Sequence, residues 1–185
     1  MEPSLKKRLI EKMEATVEVF KREIASIRTG RASLALLDGI TVDYYGNQVP
    51  LNQVATLSVP EPRLITIQPW EQKIIPEIEK AIMKSDLGLT PTNDGKTIRL
   101  AIPPLTEERR KELVKVVKKR AEESRVALRN IRRDILEEIK KLQKEKSLSE
   151  DEVKRWNDEV QKITDTYIKK VDELLSHKEK EIMEV

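Results

Sequence analysis

Three segments of the chain place apolar residues at steps of three and four, the spacing that puts them on one face of an α-helix. The first is predicted to run over residues 4–28, with Gly30 as its C-terminal cap. The second covers residues 105–146 and contains no Gly or Pro. The third begins after Ser149, which forms a capping box with Glu152. Each segment has a single apolar stripe that must be buried, so together they predict a three-helix bundle.

The third segment repeats its apolar residues every 3.5 positions, the period of a supercoiled seam. Trp156 and Tyr167 lie in this repeat. Both aromatic side chains are therefore predicted to belong to the bundle core and not to a binding site.

Residues 31–104 have a different pattern, in which apolar and polar residues alternate. Eight of the nine prolines and four of the five glycines lie here. Strands are predicted at 40–44, 64–67 and 97–102, a turn at 45–48, a hairpin signal at 93–95 and a short helix at 75–85. This segment predicts a small β/α/β domain inserted between the first and second helices.

The predicted fold class is therefore α+β with two domains. Residues 1–30 and 105–185 form the long three-helix bundle, and residues 31–104 form the inserted domain. Because both connections join the end of the first helix to the start of the second, a two-stranded hinge is expected near 29–31 and 103–105. The predicted hinge residues are Arg28, Thr29, Gly30, Arg31, Pro103, Pro104 and Leu105.

Charged residues make up 37% of the chain, and the net charge is only +3. On the second helix, however, the basic residues gather on one flank of the apolar stripe. They are Lys111, Lys115, Lys118, Arg125, Arg129, Arg132, Arg133 and Lys140. The flank has two interpretations, a solvated face with ion pairs or a binding surface for a polyanion. Arg125, Arg129 and Arg132 have a spacing that suits a row of phosphate contacts.

Catalytic chemistry is poorly represented in this sequence. There is no cysteine, the only histidine is His177 among charged residues, and the five glycines form no phosphate-binding loop. No enzyme activity, metal or cofactor is therefore expected. The sequence also lacks an apolar run long enough to cross a membrane, and its first residues are charged, so we expect the cytoplasm, or the matrix of an organelle if a transit peptide has been removed. We also expect a monomer. A helical protein adaptor or chaperone remains an alternative function.

Five short motifs together resemble the bacterial ribosome-recycling factor family, in order and spacing along essentially the whole chain. They are Ile27-Arg28-Thr29-Gly30-Arg31-Ala32, Tyr44-Tyr45-Gly46, Ser85-Asp86-Leu87-Gly88-Leu89, Pro103-Pro104-Leu105-Thr106-Glu107-Glu108-Arg109-Arg110 and Arg129-Asn130-Ile131-Arg132-Arg133-Asp134. The resemblance implies an L-shaped protein made of a three-helix bundle and a smaller β/α/β domain joined by a hinge.

The resemblance also implies a function in translation. Family members bind the post-termination ribosome in the space used by transfer RNA, with the bundle against large-subunit ribosomal RNA (rRNA). Elongation factor G and GTP then split the ribosome into subunits, and GTP belongs to that partner. The arginines of the family that contact the ribosome fall on Arg110, Arg129 and Arg132, with Arg28 and Arg31 beside the hinge. With the basic flank, the predicted binding residues are Arg110, Lys118, Arg125, Arg129, Arg132 and Arg133.

Overall fold

The chain forms two units in a computed structural model that describes residues 1–184. Met1–Thr29 and the segment from Glu107 onwards make a helical unit, and Gly30–Thr106 make an inserted unit. The combination of long helices and a small sheet domain confirms the predicted fold class.

The helical unit contains α1 (Pro3–Ala25), α3 (Glu107–Lys146) and α4 (Glu150–Met183). Buried residues follow a three- and four-residue spacing along each helix, as the apolar stripes predict. Ion pairs between the helices give their directions. Arg8 pairs with Glu138 and Arg120 with Glu23, so α1 and α3 are antiparallel. The bundle core consists of Leu5, Leu9, Met13, Val17, Phe20, Ile24, Leu113, Val117, Ala121, Leu128, Ile135, Ile139, Val160, Tyr167, Val171 and Ile182.

The first helix ends earlier than its apolar pattern predicts. It stops at Ala25 instead of residue 28, and Gly30 is not its cap. The Ser26 hydroxyl donates to the Glu23 carbonyl oxygen at 2.6 Å, a local side-chain bond that competes with the helical ladder. Ile27, the last residue of the predicted stripe, is only half-buried and adds little to hold a further turn.

The start of α4 agrees with the predicted cap. The Ser149 hydroxyl accepts a hydrogen bond from the Glu152 amide at 3.1 Å. The two aromatic residues of this helix differ in burial. Tyr167 is 6% exposed and belongs to the core as predicted, whereas Trp156 is half-buried at the edge of the bundle.

Tyr167 joins α4 to α1 through a polar contact. Its hydroxyl donates to Glu14 Oε1 at 2.7 Å, and Lys170 Nζ lies 4.6 Å from the ring centroid. Burial, followed by the hydrogen bond to Glu14, raises the pKa of Tyr167 to about 12 from an ordinary value of 10.0. The folded state therefore holds the phenol proton more tightly than the unfolded state does.

This coupling makes a prediction for stability at high pH. Tyr167→Phe should lower the free energy of unfolding by about 1–2 kcal/mol near neutral pH, because it removes a hydrogen bond to a carboxylate. The contribution of Tyr167 is complete below pH 10 and lost as the pH rises to about 12. Urea unfolding of both proteins between pH 8 and 12 measures this. A stability difference that stays constant over the whole range would contradict the assignment.

The inserted unit contains two sheets and one helix, α2 (Ile75–Lys84). A hairpin of β1 (Thr41–Tyr44) and β2 (Asn47–Pro50) forms the first sheet. The second sheet contains β3 (Ala55–Glu61), β4 (Leu64–Pro69), β5 (Thr92–Asn93) and β6 (Ile98–Ala101), in the order β3-β4-β6-β5 with antiparallel neighbours. The core of the unit joins residues of the second sheet, α2, β1 and the connecting segments, and contains Leu37, Val42, Leu51, Val54, Ala55, Ile65, Ile67, Ile74, Ile75, Ile78, Ile82, Leu87, Ile98 and Leu100.

Two features of this unit differ from what its alternating sequence pattern predicts. β3 has no counterpart in the prediction because Pro60 and Pro62 argue against a strand. It lies at the edge of the sheet, where a proline is tolerated, and its register shifts between Ser58 and Glu61. The turn of the β1–β2 hairpin is also tighter than predicted, since Tyr44 pairs directly with Asn47.

Candidate nucleic-acid interface

The basic flank of α3 faces α4 along part of its length. Arg125 reaches across to Asp172 on α4, with Nε 2.8 Å and Nη2 2.7 Å from Oδ1. Farther along α3, Arg132 Nη1 donates to Gln161 Oε1 on α4 at 3.2 Å. The opposite flank of α3 faces α1, because Arg120 pairs there with Glu23. The two sides of α3 therefore lie in different surroundings.

Glu122 forms hydrogen bonds with two of the predicted binding residues. Its carboxylate accepts from Arg125 Nη1 at 3.0 Å and from Arg129 Nη1 at 3.3 Å. These hydrogen bonds lower the pKa of Glu122, so the carboxylate stays charged at neutral pH. Arg125 is thus committed to ion pairs within the bundle, and only 20% of its side chain is exposed. Arg129 is 44% exposed and has this one carboxylate partner among the described residues.

Arg132 and Arg110 are less completely bonded. Both are half-buried, and the buried Nε of each has no hydrogen-bond partner within residues 1–184. Unpaired buried donors are uncommon in folded proteins and call for an explanation at each site. Because this Nε is buried, phosphate contacts by either residue would use the Nη atoms of the guanidinium, whose fork geometry suits a phosphate.

Lys118 and Arg133 complete the predicted set. Both side chains are exposed, and neither forms an ion pair in the part of the chain that the structure describes. Each is therefore an exposed cation whose charge solvent screens. Within the flank, Arg125 and Arg129 form ion pairs, while Arg132, Arg133 and Lys118 have donors that the described residues do not use, so both interpretations stay open.

The predicted hinge residues lie where the chain passes between the two units. Thr29 belongs to the helical unit, is 8% exposed, and has its hydroxyl 3.4 Å from Glu181 Oε1 of α4. Gly30 begins the inserted unit with a φ of +77°, a backbone conformation that favours glycine. A Cβ placed on Gly30 would lie 3.1 Å from Leu105 Cγ. The two passages of the chain are therefore adjacent.

The other predicted hinge residues lie at the surface. Arg28, Arg31, Pro103 and Pro104 are exposed, and Leu105 is half-buried.

Residues 1–184 contain no cluster of His, Cys, Asp or Glu side chains that could hold a metal ion. None of the described helices is both long and apolar enough to span a lipid bilayer.

A family model of ribosome recycling factors matches residues 20–183. The chain belongs to the ribosome recycling factor family. It is 63% identical to the ribosome-recycling factor of Symbiobacterium thermophilum over 175 residues, which is 95% of each chain. It is 62% identical to that of Carboxydothermus hydrogenoformans over 173 residues, which is 94% of each chain.

Solved structures of ribosome recycling factors also match the whole fold. A solution structure of the ribosome recycling factor aligns over 100% of both chains with a TM-score of 0.78 and 48% sequence identity. A second structure aligns over 98% of both chains with a TM-score of 0.64 and 52% identity. It comprises models for the T. thermophilus ribosome recycling factor and E. coli elongation factor G bound to the E. coli post-termination complex.

The structure adds two residues that the sequence did not reveal in this member of the family. Glu122 organises Arg125 and Arg129, and Gln161 holds Arg132 from another helix. Glu122 lies on the basic side of α3, but a helical projection cannot tell whether an acidic side chain contacts its neighbours. Gln161 gives no sequence signal because its pairing with Arg132 depends on how α3 and α4 pack.

Proposed function

We propose that the chain is a translation factor that binds the post-termination ribosome and, together with elongation factor G and GTP, splits it into subunits. The observation that carries this proposal is the second solved structure, in which a relative of 52% identity is found with elongation factor G on the post-termination complex. A likeness that extends over 98% of both chains leaves little of the molecule for a different task.

The basic flank of α3 is the proposed contact with large-subunit rRNA. Contacts from Arg and Lys to phosphates position a protein on RNA without reading its sequence, and they suit a rigid helical rod. Arg132, Arg133 and Lys118 are the main proposed ligands because their donors are not all used within the bundle. Arg110 extends the surface towards the start of α3, and Arg129 lies between Lys118 and Arg132. Arg125 contributes chiefly by holding α3 against α4 through Asp172.

The inserted unit is the proposed moving part. It is joined to the bundle by two adjacent passages of the chain, of which one contains Gly30 and the other contains Pro103 and Pro104. A partner that displaces this unit while the bundle stays on RNA would strain the contacts between the ribosomal subunits. In this mechanism the chain is not an enzyme, needs no cofactor of its own and works in the cytoplasm, and GTP is used by the elongation factor.

Splitting of purified post-termination ribosomes tests the proposal. Light scattering should fall when the protein, elongation factor G and GTP are all present, and it should stay unchanged when any one of the three is left out. Scattering that falls without the protein, or never falls although the control factors are active, would refute the proposed function and favour a helical adaptor.

A further inference from the structure

The hairpin that joins β1 and β2 places a tyrosine where the backbone favours other residues. The two turn residues are Tyr45, with a φ of +51°, and Gly46, with a φ of +87°. These values define a type I′ turn, in which asparagine or glycine is preferred at the first position. A tyrosine at this position is conformationally strained. Its side chain is 70% exposed, so the free energy gained by burial offsets little of that strain.

The exposed ring is nevertheless held in one place. The Tyr45 hydroxyl donates to Glu71 Oε2 at 2.8 Å, and the Tyr44 hydroxyl donates to Glu71 Oε1 at 2.7 Å. The two rings also pack edge to face, with centroids 4.7 Å apart. A ring that is fixed before binding loses little conformational entropy when a partner covers it. Strain, exposure and fixation together indicate a contact residue.

The charge around the ring identifies the chemistry of the partner. Hydrogen bonds from Tyr44 and Tyr45 lower the pKa of Glu71, so this carboxylate stays ionised behind the rings. Asp43 is at the same turn and accepts the Gly46 amide at 3.0 Å. Lys73 is the nearby cation that acts on Glu71. Asp43 and Glu71 outweigh Lys73, so the net negative charge beside the fixed aromatic ring disfavours phosphate and favours an Arg or Lys side chain.

A second exposed aromatic residue lies next to Glu71. Trp70 is 64% exposed, and its Nε1 donates to Thr56 Oγ1 at 2.9 Å, so it too is oriented while its indole ring faces solvent. Aromatic rings whose polar atoms are already satisfied are typical of the residues that dominate protein interfaces.

We propose that the hairpin tip, formed by Tyr45, Glu71 and Asp43, is the surface through which the inserted unit receives a basic side chain of elongation factor G. This inference rests on the proposed function. It names the elongation factor because, in that function, the inserted unit must be contacted by the protein that displaces it, and because the acidic tip disfavours RNA.

The test uses Tyr45→Asn in the ribosome-splitting assay. Asparagine relieves the strain of the turn but loses the hydrogen bond to Glu71, so the thermal midpoint of the variant should stay close to that of the native protein. The elongation factor concentration that gives half-maximal splitting should rise at least about five-fold, the size expected when an interface aromatic is truncated. Binding to isolated large subunits should be unchanged, because the basic flank is not altered.

Two further variants complete the design. Tyr45→Phe retains the ring and should behave more like the native protein than Tyr45→Asn does. Met83→Ala removes another side chain of the inserted unit that is 66% exposed, and should not change the dependence on elongation factor.

The inference fails if native protein splits ribosomes while Tyr45→Asn shows an unchanged dependence on elongation factor. It also fails if Met83→Ala raises the required concentration equally, or if Tyr45→Asn melts far below the native protein, which would make Tyr45 a structural residue. No splitting by the native protein would instead refute the proposed function.

Discussion

Arg132→Glu should weaken binding to purified large ribosomal subunits by roughly 2–4 kcal/mol, or about 30- to 700-fold. The substitution removes a guanidinium whose Nε has no partner among the described residues, and it puts a carboxylate where the contact with RNA phosphates is proposed. The effect on the fold should be smaller, because the only hydrogen bond described for this side chain is the one to Gln161. Equilibrium binding by fluorescence, with circular dichroism as a folding check, measures both.

Arg120→Glu is the matched control for this prediction. It makes the same change of charge on the same helix, but on the flank that faces α1, where Arg120 is 49% exposed and pairs with Glu23. Its affinity for large subunits should fall by less than about three-fold, because distant exposed charges are screened. Equal losses for the two variants would show that binding follows the total charge of the chain and not the basic flank.

Gly30→Ala should separate ribosome splitting from ribosome binding. Alanine at a φ of +77° is strained, and its Cβ would lie 3.1 Å from Leu105 Cγ and 3.3 Å from Leu105 N, so the chain beside it must move. Because Gly30 is the first residue of the inserted unit, this strain acts where motion of that unit would be taken up. We expect the rate of splitting to fall by about ten-fold or more, equivalent to at least 1.4 kcal/mol in the barrier. Affinity for large subunits should remain within about two-fold.

Gly39→Ala is the control for the strain itself. Gly39 has a φ of +81°, but no other atom lies within 4 Å of a Cβ placed there. Alanine at position 39 has a similar backbone strain, but the position lies inside the inserted unit. The Gly39→Ala protein should therefore split ribosomes at nearly the native rate. If both variants lose splitting equally, general destabilisation of the inserted unit explains the loss and Gly30 is not part of a hinge.

The helices were predictable because their burial follows directly from apolar spacing. The long apolar stripe of α3 and the cap at Ser149 required no tertiary information. The end of α1 could not be predicted in this way. The local hydrogen bond of Ser26 and the weak burial of Ile27 end the helix before the last apolar residue of its stripe. β3 also escaped prediction, because whether a strand containing Pro60 lies at the edge of a sheet is decided by strands distant in sequence.

The candidate site was predictable as a surface but not as a set of contacts. A helical projection places Arg125 and Arg132 on the same flank, yet the structure gives them different surroundings. Arg125 is fixed by Asp172 and Glu122, while Arg132 keeps an unpaired Nε. That difference arises from α4, whose register against α3 is set by packing and cannot be read from the sequence of either helix alone.

The most direct test of the account is the salt dependence of large-subunit binding by the native protein and Arg132→Glu. The account predicts that the logarithm of the native affinity falls steeply and linearly with the logarithm of salt concentration, because phosphate contacts release counterions. Arg132→Glu should bind more weakly and reduce the slope by about one or more. Tight native binding with no salt dependence, or a slope that Arg132→Glu leaves unchanged, would contradict the placement of this flank on ribosomal RNA.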